Sequence, residues 1–528
     1  MRSTFGGIEI SKRALFTQQE ALNTTGHNVA NANTRGYSRQ VVNMVAAKPM
    51  EAIGLQRSTV PGQMGQSVEF SSITRIREKH LDSQFYNENK SSGEWTVRQD
   101  TLDKLQGIIN EPSDTGVRQV IQNFWNAWQE LSKAPDNLTG RAVVKESALA
   151  MADAFNFTSK QLSDLSRDLT DNINVKTTYI NSTTDQIAKL NNEIYRIEGL
   201  GNNANDLRDQ RDVLLDDLSK TINITVKEDD SGYTVSMGAQ VLVDGFNVAS
   251  TVTAASLQGS YGGDLSSGEV YGMIQSRDVL VTSYQNEIDT MIKTMVEGDV
   301  TVTLPAGSVV PEGTVVGAKT YSGTVADRTL KESDDRNITV KGFNGLHKLG
   351  YVLNNGTFAT GEDFFKSSDG GAITAANIIV NPTIEHNVSN IAAALRTYVD
   401  PVDNVEKVVR GNNDMSLLIA GLRQQSFKFD PTGTGTVVLK DGTLDEFFRA
   451  VVGQLGVQGQ EADRQAANQK VLVEQVDARR QSVSGVSMDE EMSNMIKFQH
   501  AYNAAARAMT VYDEALDKVI NSMGVVGR

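Results

Sequence analysis

Histidine is the side chain that changes charge near neutral pH and ligates metals most readily, so the five histidines are the first place to look for chemistry. His27, His80, His347, His386 and His500 each stand alone. None has the H-E-x-x-H or other paired spacing that would bring two imidazoles to one metal ion. Cysteine is absent from all 528 residues, which excludes disulfides, thiol nucleophiles and thiolate metal sites together. No G-x-S-x-G run raises a serine on an elbow. The stretch from Gly313 through Gly317 to Lys319 and Thr320 is loosely like a phosphate loop. Its spacing is wrong, however, and it lies among β-forming residues, whereas such a loop must open a helix. Asp229-Asp230 and Asp334-Asp335 sit in polar turns, the setting of solvated charge rather than of a general acid and base. The sequence calls for no cofactor and no metal, and the chain is read as a non-enzyme.

What remains is recognition chemistry, concentrated in the polar run from Asn28 to Gln40. Asn28, Asn31, Asn33 and Thr34 carry short side chains that compete with a helix backbone for hydrogen bonds. Gly36 can take the left-handed conformation that closes a helix. Tyr37, Arg39 and Gln40 follow. One reading is a helix end with its turn. The other makes Tyr37 and Arg39 an anchor that fixes the exit angle of the chain and touches a neighbouring subunit.

The elements that must position this run lie at the two ends of the chain. Met488, Met495, Tyr502, Met509, Leu516 and Met523 recur every seven residues, and Phe498, Ala505, Tyr512 and Val519 follow the middle four by three. That spacing predicts a helix whose narrow apolar seam faces another helix. Ile8, Leu15, Leu22 and Val29 repeat the interval near the start, flanked by small Ala14 and Ala21. The simplest expectation is that the two ends pair. An isolated narrow stripe is marginal as a helix, so residues 1 to about 35 and 490 to 528 are expected to be largely disordered in the free monomer and to order on assembly. Methionine at the C-terminal seam is either an adaptable packing surface or simply a good helix former.

Between the ends, the chain reads as α+β and multidomain. Length alone implies three or four domains. Only 6% of residues are aromatic, which suits modest cores and long helices. A first core helix with the polar motif occupies 1–40. A helical bundle domain follows over 41–298, with a short β excursion near 222–260. Its tryptophans lie at helical spacing with Phe124 and Leu131 and read as core. Its longest helix carries Leu162, Leu169, Leu190 and Ile197 on one heptad position and Ile173, Ile180, Ile187 and Ile194 on another, with Lys176 and Thr183 interrupting the first row. From about 141 to 198 it would run roughly 85 Å. A further helix carries Leu207, Leu214 and Leu218, and another, near 269–297, repeats the interval through Ile274, Val281, Ile288 and Met295. Residues 299–375 are rich in Thr, Val and Gly, with turn dipeptides at Asn344-Gly345 and Asn355-Gly356, and read as an inserted, outward β domain. A mixed segment spans 376–444, a C-terminal bundle helix 445–486 and the second core helix 487–528, opened by a capping box at Ser487 and Glu490.

Net charge is −15, which disfavours a grip on nucleic acid and would keep a self-associating protein soluble. No window approaches the roughly 18 apolar residues of a membrane span. The opening thirteen residues show no apolar h-region or cleavage site, so no conventional secretory signal is expected.

Taken together, the run from Asn28 to Gln40 resembles the N-terminal motif of bacterial flagellar rod, hook and hook-associated proteins. The C-terminal stretches from Ser484 to Met492 and from Met495 to Arg507 resemble its counterpart. The segment from Phe124 to Pro135, with that from Leu207 to Leu215, is similar to the hook-associated protein 1 (FlgK) family of hook–filament junction proteins. Arg35 departs from the pattern, where many relatives carry proline. The resemblance covers most of the chain and is weakest over 299–375. It implies export by the flagellar type III apparatus without cleavage, a cytoplasmic chaperone over the C-terminal segment, and polymerisation as a short zone. Terminal helices would form a coiled-coil core inside that assembly, beneath a helical bundle and solvent-facing β domains. The implied partners are copies of itself, the flagellar hook protein and hook-associated protein 3 on the filament side, at an extracellular location. A rod or hook subunit shares the end motifs but lacks the bundle; an adhesin or hydrolase would need a ligand or cleft in the outer β domain.

Overall fold

A computed structural model describes residues 5–49, 65–109, 116–352, 359–431 and 436–522. Met523 and the Asn355-Gly356 dipeptide lie outside the described residues. The chain opens with helix α1 (Gly6–Ala30), the hairpin β1 (Gln40–Ala46) and β2 (Val68–Arg75), and α2 (Lys79–Ile109). Next come α3 (Val117–Leu131) and the 61-residue α4 (Leu138–Glu198). At 1.5 Å per residue α4 is about 90 Å long. Ile173, Ile180, Ile187 and Ile194 are all buried along it, while Leu190 and Ile197 of the other row are half-buried. Thr183, which interrupts that row in the sequence, is buried too, and Lys176 pairs with Glu269. Gly201, at φ +88°, helps to turn the chain out of the helix.

Helix α5 (Asn205–Thr221) follows, then a four-stranded antiparallel meander of β3 (Thr225–Asp229), β4 (Gly232–Met237), β5 (Gln240–Asp244) and β6 (Asn247–Val248). Asn191 of α4 ties the helix to the sheet, donating to Tyr233 O at 3.0 Å and Gly245 O at 2.7 Å. After α6 (Ala254–Gly259) and α7 (Glu269–Gln275), a π-helical turn over Ser276–Val281 leads into α8 (Thr282–Glu297). The sequence pattern reads this stretch as one regular helix; Ile274, Val281, Ile288 and Met295 are nonetheless all buried.

The remainder is built of short pieces: β7 (Asp299–Thr303), β8 (Thr314–Val316), β9 (Lys319–Tyr321), α9 (Val325–Arg328), β10 (Asn337–Lys341), α10 (Gly342–Leu349), β11 (Phe365–Ser367), β12 (Ile378–Val380), α11 (Pro382–His386), β13 (Thr397–Val399), β14 (Glu406–Val408) and α12 (Asp414–Gly421). β7 pairs with β10, and the buried valines of β7 alternate with exposed residues, as a half-buried strand requires. Asn344-Gly345 is not a hairpin turn but lies inside α10. Asn344 is buried there; it donates to Phe365 O at 2.8 Å and accepts from the backbone N–H groups of Phe364 and Phe365, each at 3.0 Å. The two long last helices are α13 (Leu444–Ser484) and α14 (Met488–Asp517).

These elements form two compact units. The first comprises Met1–Trp95, Ile173–Gly272 and Ala466–Arg528; the second comprises Thr96–Asn172 and Met273–Gln465. The second unit is centred on an aromatic cluster in which Phe124 and Trp128 of α3 meet Phe343 at 5.4 and 5.6 Å between ring centroids. Phe364 and Phe365 close the same cluster, so segment 299–375 supplies rings to the core of this unit. His347 is buried beside it. Its Nδ1 faces Glu362 O at 2.6 Å while Nε2 accepts from Ala392 N–H at 2.8 Å, which makes the ring a neutral structural bridge. Burial pushes its pKa down to about 4.

Candidate assembly core

In the first unit, α1 and α14 pack side by side. They run antiparallel: late α1 meets early α14 through Asn28 and Glu491, while early α1 meets late α14, where a Cβ on Gly7 would lie 2.4 Å from the Tyr512 ring. The absence of a side chain at Gly7 is what admits that ring. Part of the shelter expected only from neighbours is thus supplied by the chain itself.

The seam residues are only partly covered. Ile8, Leu15, Leu22 and Val29 are half-buried, as are Met495, Phe498, Tyr502 and Met509; Leu516 is buried, and Met488, Tyr512 and Val519 are exposed. The fully buried positions of α1 are instead mainly small and polar: Ser11, Thr17, Ala21, Thr24, Thr25 and Asn28. Thr17 and Thr24 satisfy their hydroxyls on the carbonyls of Arg13 and Glu20, both at 2.9 Å. Thr17 also reaches Val68 O at 3.2 Å, joining α1 to the β1–β2 hairpin. Phe16, Met492, Ile496 and Val511 remain exposed on the two helices.

The polar run folds around Asn28, which is 1% exposed. Its Oδ1 accepts from Tyr37 Oη–H at 2.8 Å and Gln40 N–H at 3.0 Å; its Nδ2 donates to Gln40 O at 2.9 Å and Glu491 Oε2 at 3.1 Å. One amide therefore fastens the end of α1, the start of β1 and the first turn of α14. Arg39 makes the second fastening. Its Nε donates to Glu491 Oε1 at 2.7 Å, its Nη1 to Glu490 Oε2 at 2.8 Å and its backbone N–H to Ser484 O at 2.8 Å. Ser487 caps α14 through the Glu490 N–H, but the Glu490 carboxylate turns to Arg39, so the expected capping box is met by a partner from the other end of the chain. Between these fastenings Gly36 stands at φ +78°, where a Cβ would meet Val213 Cγ2 at 2.1 Å. Asn31 and Thr34 bond locally, Thr34 Oγ1 donating to Asn31 Oδ1 at 3.2 Å, and Asn33 is exposed. The run is a helix end with a turn, and Tyr37 and Arg39 fasten it to α1 and α14 of the same chain.

The cradle for this clasp is α5, whose role the apolar pattern does not reveal. Asp206, Asp209, Asp212 and Asp216, spaced three or four apart, share one helix face. Asp206 accepts from Gln40 Nε2 at 2.7 Å and Asp209 from Ser38 N–H at 2.8 Å. Arg75 Nη1 lies 2.7 Å from Asp209 and 2.6 Å from Asp212; Arg77 holds Asp82 at 2.8 Å, and Arg480 holds Asp216 at 2.8 Å. The carboxylates of Asp82, Asp209, Asp212 and Asp216 thus face three guanidiniums with little water. Burial pushes Asp216 up to about 6 against the pull of Arg480, and it raises Asp209 as well. Arg35 pairs with Asp217 of the same helix. Of the leucines expected to line α5, Leu218 is buried and Leu207 and Leu214 are half-buried.

The other features weighed in the sequence behave as structural parts. Gly313 and Gly317 shape the β8–β9 hairpin, with no helix following directly on the loop. Among the described residues no cluster of His, Cys, Asp and Glu could hold a metal ion, and no helix is long and apolar enough to cross a membrane.

Residues 102–298 match the family described as flagellar hook-associated protein FlgK helical domain. Residues 8–37 match the flagella basal body rod protein family, and 479–523 the flagellar basal body rod FlgEFG protein C-terminal family. The chain is 34% identical over 543 residues to flagellar hook-associated protein 1 of Bacillus subtilis, covering 100% of both chains. It is 24% identical to the protein of the same name from Salmonella typhimurium, covering 97% of this chain and 99% of the relative. The solved flagellar hook junction protein FlgK from Burkholderia pseudomallei superposes with a TM-score of 0.44 at 15% identity, over 77% of this chain and 100% of that one.

Proposed function

The chain belongs to the flagellar hook-associated protein 1 family, a structural family of the bacterial flagellum, and from that premise we propose that it joins hook to filament by packing its paired terminal helices against those of neighbouring copies. The observation that carries this reading is the incomplete cover of α1 and α14. Helix α1 buries mainly small and polar groups and α14 only Glu491 and Leu516, and the pair leaves Phe16, Met492, Ile496 and Val511 to water. A two-helix pair with apolar residues on its outer faces gains from further helices on those faces, as a cylinder of many copies provides. The residues assigned to this packing are Ile8, Leu15, Leu22 and Val29 with Met488, Met495, Phe498, Tyr502, Met509, Tyr512, Leu516, Val519 and Met523. Asn28, Tyr37, Arg39 and Gln40 hold the two helices in register for it.

The flagellar hook protein on one side and hook-associated protein 3 on the other are the proposed neighbours. A cytoplasmic chaperone would cover the exposed face of α14 before type III export to the cell exterior. Deleting the gene tests the junction role: filaments should be lost and flagellin should spill into the medium. Cells that lack the hook as well would refute it in favour of a rod or hook subunit. Replacing Met495 and Met509 by leucine tests the adaptable seam, because unchanged assembly on both sides removes any need for methionine.

A further inference from the structure

The hairpin of β13 and β14 in the second unit ends in a turn fixed by its own side chains. Asp400 Oδ1 accepts from Val402 N–H at 2.9 Å, and Asp403 Oδ1 accepts from Val405 N–H at 3.1 Å. Asn404 takes the left-handed φ of +58°, and Lys407 Nζ lies 2.6 Å from both Asp400 and Asp403. On this fixed turn Val402 is 92% exposed, and Tyr398, Val399 and Val405 are exposed beside it. A single exposed valine is unremarked on any surface. Val402 and Val405 on a turn held by Asp400, Asp403 and Lys407, next to Tyr398 and Val399 of β13, are a preorganised contact, because little freedom is left to lose on docking.

The same unit carries a recess of matching character. Half-buried Ile121 and the edges of the otherwise buried Trp125, Leu444 and Phe448 line a narrow crevice between α3 and α13, with Arg118, Arg423 and Asp445 around it. Its open space is about 20 Å³, close to what one water or methyl group fills. The signs are complementary: at the tip two carboxylates face one ammonium, and the rim carries two guanidiniums to one carboxylate. Arg118 is engaged by Asp445 at 2.7 Å, while Arg423 is exposed.

We infer that one methyl of Val402, at the tip of one copy, enters the Trp125 crevice of the next copy while the rest of the turn lies over its rim, a contact between second units that adds to the terminal helices. The inference rests on the proposal that copies of this chain assemble around a common axis. Val402 cannot be occupying its own crevice, since it is almost wholly exposed. The tip and crevice are different surfaces, so the contact is head-to-tail, the kind that closes a ring or winds a helix. A second copy is the occupant favoured because the complement in both polarity and charge lies on the chain itself.

The natural lack of cysteine makes the test clean. Full-length Val402→Cys and Gln122→Cys chains, each competent for motility, are co-expressed in cells lacking the parent gene, and the flagella are treated with a short bis-maleimide. Dimers should form when both variants are present and be at least tenfold fewer with either alone. Motile cells with no mixed dimer overturn the inference and leave the junction role standing. Dimers from Val402→Cys alone place tips against tips and overturn it too. If even the parent chain fails to restore filaments to the deleted strain, the junction role fails and the inference with it. A second probe pair, Val405→Cys with Gln122→Cys, leaves position 402 free to vary. Val402→Asp, exposed enough to fold normally, should abolish the cross-link from that pair; an undiminished yield counts against the docking.

Discussion

Replacing Asn28 by alanine should loosen both ends of the chain at once. The side chain makes three hydrogen bonds to neutral groups and one to a carboxylate, all from a position 1% exposed. At about 1 kcal/mol for each neutral bond and about 1.5 for the charged one, the gross loss is roughly 4–5 kcal/mol. Water reaching the half-buried Tyr37 returns about 1, so a net cost of about 3–4 kcal/mol is expected. The assay is native-state hydrogen exchange on the full chain, read at Arg39 N–H, which donates to Ser484 O, and at Glu491 N–H, which donates to Ser487 O. Neither amide bonds to Asn28, so both report the clasp rather than the deleted contact. Exchange there should quicken by about 300-fold, since 1.4 kcal/mol corresponds to tenfold, while amides of the β7–β10 pair in the second unit keep their rates. Asn28→Asp retains acceptors for Gln40 and Tyr37 but sets a carboxylate against Glu491; it should match alanine at pH 7 and recover as acid protonates it. Rates within threefold of the parent for Asn28→Ala would refute the clasp. If assembly alone then fell, the motif would have to act on neighbours instead.

Gly36→Ala should cost about 2 kcal/mol or more from the left-handed backbone and the Val213 contact together; Val213→Ala should recover only the steric part in a thermal melt. An Arg39→Ala, Glu491→Gln double-mutant cycle should give a coupling of about 2 kcal/mol, because Glu491 is nearly dry; additivity would mean the pair is ornamental. His347 stays neutral in the fold down to about pH 4, whereas the unfolded chain takes up its proton near pH 6.5. In that window the unfolded state binds the extra proton, so this contribution is complete above pH 6.5 and is lost as pH falls toward 4, by about 3 kcal/mol in all. Imidazole titration by NMR together with denaturation at pH 7 and 4.5 checks it, and a His347 ring that titrates near 6.5 in the folded protein removes the effect.

Helical periodicity made the long elements legible. The isoleucine row of α4 and the heptads through α8 mark buried faces because apolar residues at that spacing have little else to do. The left-handed turn at Gly36 was legible for a similar reason, since asparagine, threonine and glycine leave a helix few ways to continue. The clasp was not. The apolar interval of α5 draws attention to its leucines, and nothing local says that Arg75, Arg77 and Arg480, more than a hundred residues away, will pair with Asp209, Asp212 and Asp216 away from water. The polar burial along α1 was hidden likewise, since threonines that bond their own helix pack closely without an apolar signature. Asn344-Gly345 misleads because its turn chemistry is real but is spent on the backbone at Phe364 and Phe365. The π turn at Ser276–Val281 leaves the apolar interval undisturbed, so periodicity alone passes over it.

Asn28 and Glu491 lie 463 positions apart, and the first unit is stitched from the opening, middle and closing stretches of the chain. A product truncated before Glu490 would take from Asn28 its bond to Glu491 and from Arg39 both carboxylates, leaving Asn28 bonded only to Tyr37 and Gln40 beside it. The fold thereby checks its last helix against its first: a stub that stops short of Glu490 keeps α1 on its hairpin but lacks the α1–α14 fastening that the proposed packing between copies would draw on.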